Sequence, residues 1–455
     1  MDGSTIYALS TAAPSRASPG AIAVVRISGP RATDALIFLT EAHAFERGQS
    51  AREPSLPAPR RMSYRPLIDP ASGAEIDRGL VVWFEAPNSE TGEHMVELHS
   101  HGGRAVVQAL LDAIGRLGFC RLAEPGEFTR RAFEHGKLDL TEAEGIADLV
   151  AAETEQQRRQ ALAQMDGALH CLYEDWRTLG LRALAHLEAA IEFPDEDLPP
   201  GIDARVTREI AGLARQIEAH LADNRGERLR QGLSIAIVGP PNAGKSSLLN
   251  LLARRDAAIV SETAGTTRDV IEVHLDLGGW PVIVADTAGL RDSADPIEQE
   301  GVRRARARAE QADLRLLVVA ADDPSWHQTI KAWTASDTLF VLNKTDLARE
   351  APADFGGVAV SARTGDGVAE LLERLETAIA AAFEAGAGAP PLTRVRHREA
   401  LGEAHAALLR ARQEKEIALA AEDLRLAMRA IGRITGTVRI DELLDVIFRD
   451  FCIGK

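Results

Sequence analysis

The sequence predicts a multi-domain protein of mixed α+β and α/β class: a mixed α/β N-terminal domain, then an all-α domain into which an α/β unit is inserted. Three observations predict it. Between residues 232 and 389 strand and helix signals alternate, as in a mostly parallel sheet with helices on both faces. Helical segments of like composition flank that interval. Before residue 135, short β-like runs mix with helical stretches instead. A length of 455 residues suits about three domains. The expected bounds are 1–135, 136–231, 232–389 and 390–455, the second and fourth segments forming one helical domain.

In chain order, "AIAVVRIS" and "GLVVWF" read as strands and "RAVVQALLDAIGRLG" as a helix, with "SAREPSLPAPRRMSYRPLIDPASG" a long exposed connection. "LTEAEGIADLVAAETEQQRRQALAQ" and "RTLGLRALAHLEAAIEF" space apolar residues as helices do. Thr141-Glu-Ala-Glu144 gives the first of these a capping-box start. "FPDEDLPPG", 193–201, interrupts the pattern, and a further helix runs to about 230. "LSIAIVG" is then a buried strand, and "VIEVHLDLGGWPVIVAD" a hairpin around Gly278-Gly279. "LRLLVVA" and "TLFVLN" follow as short buried strands, "EAGAGAPP" closes the alternation, and 393–449 are helical.

Composition narrows the function. Hydrophobic residues make up 45% and charged residues 26%, ordinary for a globular protein. Apolar runs such as "LRLLVVAA" fall far short of the ~18 residues of a membrane span. The N-terminus shows no basic region followed by a long apolar core, and Cys120, Cys171 and Cys452 suggest neither a disulfide framework nor a zinc site. A cytoplasmic protein without membrane attachment is expected. The net charge of −16 argues against gripping nucleic acid by bulk charge, so RNA contact would be local or shared with a partner. Arg303, Arg304, Arg306 and Arg308 spread around a helix and read as a solvated surface.

The chemistry concentrates in the α/β unit. "GPPNAGKS", Gly239–Ser246, follows a strand and precedes a helix, the context a phosphate-binding loop needs. Backbone N–H groups of Asn242, Ala243, Gly244, Lys245, Ser246 and Ser247 would wrap the phosphates of a nucleotide. Lys245 would neutralise the β and γ phosphates and Ser246 would ligate Mg²⁺. "NKTD" ends a later strand, where the carboxylate of Asp346 can accept from two donors on guanine, which adenine lacks. Asn343 adds a polar contact, the Lys344 stem packs near the base, and Ser361, Ala362 and Arg363 bring backbone N–H groups toward guanine O6. In "TAGTTRD", Thr267 could close over Mg²⁺ and the γ-phosphate. In "DTAG", Asp286 would hold Mg²⁺ through water, Thr287 and Ala288 continue the loop, and the Gly289 N–H would sense the γ-phosphate. The expected ligand is GTP, and the unit is expected to be Ras-like. The next residue is Leu290, where Ras-like enzymes carry a water-orienting glutamine.

"PNAGKSSLLN", "AGTTRDVIE", "DTAGLR", the terminal "FCIGK", "VVRISGP", "APNSETGEHMVELHSHGG" and "PGEFTRRAFEHGKLDLTEAE" together resemble the MnmE (TrmE) family of tRNA uridine-modification GTPases over essentially the whole chain. The resemblance implies a K⁺ ion beside the phosphates in place of an arginine finger. Its ligands would be Asn242 and backbone carbonyls of "SETAGTTRD": Ser261, Glu262, Thr263, Ala264, Gly265, Thr266 and Thr267, with Ser261, Thr263 and Thr266 the main contributors. Glu298 would orient the attacking water through a second water. It also implies that domain 1–135 forms a constitutive homodimer and binds a 5,10-methylene- or 5-formyl-tetrahydrofolate at Arg26, Glu97, Lys137 and Lys455, and that the tail, with Cys452 and Lys455, reaches back to the modification site. The Cys452 thiol could do chemistry or simply pack beside Phe451. An FAD-dependent MnmG/GidA-type partner would act on tRNA with the homodimer, adding an aminomethyl-type group to C5 of the wobble uridine while G-domain dimerisation gates the step. The chain departs from the family at "STAAPSRASPG", which has fewer glycines, and at His94, where aspartate is common. His99 and His101 alternate on a strand with no Cys or carboxylate cluster and predict no metal site.

Overall fold

The computed structural model describes residues 3–14, 20–41, 56–193, 202–254, 272–286, 312–333, 337–347, 355–384, 390–438, 444, 447–449, 451 and 454. They form two compact units, one of residues 1–147 with 432–455 and one of 148–431.

The first unit is built on a six-stranded sheet: β1 (Thr5–Leu9), β2 (Ile22–Ser28), β3 (Ser63–Ile68), β4 (Glu75–Phe84), β5 (Met95–His101) and β6 (Cys120–Leu122), in the order β3-β4-β5-β2-β1-β6. Neighbours run antiparallel except β1 and β6. Residues alternate between faces with the period of two that strands impose. Val25, Ile27, Leu67, Val81, Val96 and Leu98 face helices α1 (Ala32–Glu41) and α2 (Arg104–Gly115), where they meet Leu36, Leu110 and Ile114. On the other face Ile6 and Ala8 pack on Phe128 of α3 (Glu127–Glu134), while Ile22 and Tyr64 stay 65% and 67% exposed.

Helix α4 (Leu140–Ala151) corrects one expectation. Its capping box is Asp139 with Glu142: Asp139 Oδ1 accepts the Glu142 N–H, and Glu142 Oε2 accepts the Asp139 N–H, each at 2.7 Å. Thr141 and Glu144 lie buried inside the helix. Burial of Leu140 against Phe133 and Phe448 starts the helix early enough to place Thr141 in its first turn.

In the second unit, helices α5 (Glu155–Met165), α6 (Ala168–Glu192), α7 (Ile202–Ala222) and α8 (Arg225–Gln231) lead into a second six-stranded sheet. Its strands are β7 (Leu233–Val238), β8 (Glu272–Leu277), β9 (Trp280–Asp286), β10 (Leu314–Ala320), β11 (Thr338–Asn343) and β12 (Val358–Ala359), ordered β12-β11-β10-β7-β9-β8. As expected it is parallel apart from the β8–β9 hairpin at Gly278-Gly279. Helices α9 (Lys245–Ala253) and α11 (Val368–Glu384) cover one face and α10 (Trp326–Ala332) the other, so the central strands are apolar without alternation. Helices α12 (Val395–Gln413) and α13 (Ile417–Thr435) complete the helical part.

The helix expected to continue to about 230 is broken between α7 and α8. Asp223 takes the backbone N–H of Arg225 at 3.0 Å and its guanidinium at 2.6 Å, a local turn that competes with helix. Nearby, Tyr173 and Trp176 of α6 set their rings against His220 of α7, and His397 of α12 sets its ring against Tyr173. The Tyr173 hydroxyl lies 3.3 Å from His220 Nε2, and Trp176 Nε1 donates to Gln216 at 2.9 Å. His220 is 5% exposed, and burial brings its pKa from 6.5 down to about 4. The folded state therefore keeps the imidazole neutral where the unfolded chain protonates it. Stability is full above 6.5 and falls as pH drops toward about 4, by about 3 kcal/mol from this group. Urea unfolding followed by tryptophan fluorescence at several pH values should show that loss, and His220→Gln should remove it.

Candidate functional site

Four strand ends meet at the carboxyl edge of the second sheet, where ligands of such sheets bind. From β7 the chain turns through Gly239–Gly244 into α9. A Cβ on Gly239 would lie 2.1 Å from Val318 O of β10, and one on Gly244 would lie 2.2 Å from Asn343 Nδ2. Both glycines are thus required by protein packing as well as by any phosphate. Gly244 caps α9 at φ +88°, leaving the helix N-terminus directed at the loop, and Asn242 takes a left-handed φ of +62° with its side chain exposed. Ser246 and Ser247 are exposed in the first turn. Lys245 is buried, its Nζ donating to Gly239 O at 2.9 Å and Pro240 O at 2.8 Å, which holds the ammonium across the loop. Asp286 ends β9 in register with Ile237 of β7, one residue before the loop's approach.

Asn343 ends β11 and is 1% exposed. Its Nδ2 donates to Ala243 O at 2.9 Å, and its Oδ1 accepts the Ala362 N–H at 3.0 Å. The side chain expected to meet the base is therefore a brace between the phosphate loop and the Ser361–Arg363 turn. In that turn the Ala362 N–H goes to Asn343 and the Ser361 N–H to Asp366 O at 2.9 Å, so both amides hold protein acceptors. Ser361 is buried, and its hydroxyl donates to Asp346 Oδ1 at 2.8 Å, orienting the carboxylate. Arg363 lies 3.9 Å from Asp346 and is largely exposed. Lys344, at φ +62°, sets its Nζ 3.2 Å from both carboxylate oxygens of Asp322, a partner that the acidic "AADD" after β10 could have signalled. Ser261, Glu262, Thr263, Ala264, Gly265, Thr266, Thr267, Thr287, Ala288, Gly289, Leu290, Glu298, Cys452, Lys455 and the arginines at 303, 304, 306 and 308 lie outside the described residues.

In the first unit Arg26 of β2 stands in register with Glu97 of β5. Its guanidinium meets Glu97 Oε1 at 3.0 Å and Glu90 Oε2 at 2.7 Å, above the Phe128 ring. His99 Nε2 lies 3.4 Å from Glu97, and His101 Nδ1 lies 2.8 Å from Asp77. The Lys137 side chain is exposed beside Gly92, in the segment that supplies Glu90. His94 accepts the Ala86 N–H at 3.3 Å. Near the tail, the Gly454 carbonyl accepts from Ser10 Oγ at 3.2 Å, beside the end of β1. Cys120 is buried, and burial pushes its thiol up to about 11, so it is a packing residue.

Asn343→Ala would strand the buried Ala243 carbonyl and the half-buried Ala362 N–H and should cost about 1–3 kcal/mol. Urea denaturation of the variant beside wild type measures it.

Two family models match the chain: GTP-binding protein TrmE N-terminus over residues 5–137, and MnmE helical domain over 140–452. A tRNA modification GTPase MnmE of Parvibaculum lavamentivorans is 56% identical over 99% of this chain and 100% of its own length. Another, from Rhodospirillum rubrum, is 54% identical over 100% of both. The mitochondrial 5-taurinomethyluridine-[tRNA] synthase subunit GTPB3 of Danio rerio is 46% identical over 99% of this chain and 93% of its own. With two domain models spanning nearly every residue and full-length relatives above half identity, the chain belongs to the MnmE family of tRNA modification GTPases.

Proposed function

We propose that the protein is a potassium-stimulated GTPase that modifies tRNA with an FAD-dependent MnmG/GidA-type partner, adding an aminomethyl or carboxymethylaminomethyl group to C5 of the wobble uridine, position 34. The reading rests on one observation: the phosphate loop, the end of β9 and the two base loops share the carboxyl edge of one parallel sheet. The uridine-modifying name of the zebrafish relative supports the target atom. We assign the domains as 1–135, 136–231, 232–389 and 390–455, and the location as cytoplasmic; among the described residues no helix is long and apolar enough to cross a membrane.

At the phosphate end, Lys245 and the α9 N-terminus carry the positive charge that a triphosphate needs. The Ser246 hydroxyl, exposed in the first turn, fits an Mg²⁺ ligand, with Thr267 and Asp286 completing that set. The exposed carboxamide of Asn242 fits a K⁺ ligand, joined by carbonyls of Ser261, Thr263 and Thr266. A cation held there would stabilise charge developing on the β–γ bridge, the task of an arginine finger. Glu298 orients the attacking water in place of the missing glutamine.

In the first unit, Arg26 suits the anionic tail of a tetrahydrofolate and Glu97 the donor edge of its pterin, with Lys137 and Lys455 adding charge. The exposed Ile22 and Tyr64 on the open sheet face support a homodimer through this domain. A net charge of −16 is consistent with the partner supplying most of the tRNA contact, while GTP hydrolysis drives G-domain dimerisation.

Steady-state GTP hydrolysis in potassium and in sodium at equal ionic strength tests the catalytic reading. Turnover should be potassium-dependent, Asn242→Ala should lose that dependence, and Glu298→Ala should lose turnover by roughly 10²-fold or more. Equal rates in both salts would overturn the cation assignment. Arg26→Ala should weaken tetrahydrofolate binding about tenfold by equilibrium titration, and unchanged affinity would remove Arg26 from the site.

A further inference from the structure

The β8–β9 hairpin belongs to the sheet that carries the nucleotide loops, yet its tip touches the helical part. Helix α5 begins after Thr154, whose hydroxyl accepts the Gln157 N–H while Gln157 Oε1 accepts the Thr154 N–H. That box leaves the Gln156 N–H among the orphan donors of the first turn. It donates to Gly279 O at the hairpin tip, at 3.1 Å. The backbone there favours glycine, since Gly279 sits at φ +88°, and a Cβ would come into van der Waals contact with Glu155 Cβ at 3.4 Å. The next residue, Trp280, stacks on Phe383 at the end of α11, with ring centroids 4.6 Å apart and planes 11° from parallel. The Arg228 guanidinium of α8 lies 5.7 Å from the Phe383 ring.

Beyond Trp280 the chain runs without interruption along β9 to Asp286, about 20 Å at ~3.3 Å per residue. Strand β7, paired with it, starts just after α8 and ends at the phosphate loop. These two of the strands that feed the nucleotide edge are therefore anchored, at their far ends, on helical elements. The contact is not a continuous core. A cavity of about 330 Å³, walled by Leu169, Leu229, Trp280, Phe383 and Pro391, flanks the stack, so α5 and the hairpin meet at a few points with room beside them.

We infer that the tip of the β8–β9 hairpin is a joint that carries the nucleotide state of the sheet edge to helix α5, with Gly279 and Trp280 as its positioning residues. The inference rests on guanine-nucleotide binding at that edge. Hydrogen–deuterium exchange of the full chain, with GDP and with a non-hydrolysable GTP analogue, tests it. Amides at the start of α5 should exchange at rates differing roughly fivefold between the two nucleotides, the scale of one hydrogen bond. Gln156→Pro deletes the donating N–H at a first-turn position whose N–H has no partner within the helix. It should bring that difference below about twofold, while Gln156→Ala, which keeps the N–H, should match wild type. Trp280→Ala should also lose the difference and Trp280→Phe should keep it. A parallel titration with a fluescent guanine nucleotide should give affinities within about twofold for all variants, since none touches the binding loops. No nucleotide dependence in wild-type α5, or a full response in Gln156→Pro and Trp280→Ala, would overturn the joint. A wild-type chain that bound no guanine nucleotide would overturn both the joint and the reading beneath it.

Discussion

The buried carboxamide of Asn343 is the constraint on which the candidate nucleotide edge depends. One polar side chain, almost fully removed from water, satisfies Ala243 O with its donor and the Ala362 N–H with its acceptor. Losing the first bond would leave the Ala243 carbonyl desolvated and unpaired, which costs more than the bond itself contributes. The phosphate loop and the Ser361–Arg363 turn, over 100 residues apart in sequence, are thereby held at one spacing. Gly244 follows from this, because any side chain there would displace the Asn343 amide. Ser361 follows too: its turn is fixed by Asn343, and its hydroxyl then aims the Asp346 carboxylate.

The first unit repeats the logic with charge. Arg131 is buried and donates to Glu93, Glu127 and the Ser4 carbonyl. Glu93 also accepts from Ser28 Oγ at 2.8 Å. Buried ions held by several hydrogen bonds lock their surroundings, since removing one partner strands the other. The segment containing Glu90 and Glu93 is thus anchored at Glu93, and this presents Glu90 to Arg26 at 2.7 Å. The charge of the candidate folate edge is set from beneath, by an arginine that does not line it.

Much of this was legible in sequence because it is local. Gly278-Gly279 between strand patterns, the continuous apolar runs of β7, β10 and β11, and the glycine loop before α9 each reflect one segment's own backbone requirements. What sequence did not yield is non-local. Arg26 and Glu97 face each other through strand register, fixed by packing on the opposite face of the sheet. The brace at Asn343 needs three loops in place at once. The start of α4 moved because burial of Leu140 outweighed a plausible cap at Thr141, and α7 ended early because Asp223 offered the backbone a competing turn.

Asn242 bears on how a chain with Leu290 in place of glutamine could manage hydrolysis. A non-glycine residue at φ +62° is strained, and asparagine is among the few side chains that tolerate it. Glycine would relieve the strain at no packing cost visible here, since the Asn242 side chain is exposed. Elsewhere in the same loop, Gly239 and Gly244 occupy the positions where a Cβ would collide. The loop therefore uses glycine where space demands it and keeps a strained asparagine where space does not. At that solvent-facing position asparagine adopts the left-handed backbone and presents its carboxamide outward, beside the phosphate loop. A carboxamide oxygen offers an acceptor without a negative charge, able to hold a monovalent cation without repelling the phosphates beside it. That is the property required if a cation, and not a glutamine or an arginine, meets the charge that develops as the γ-phosphate departs.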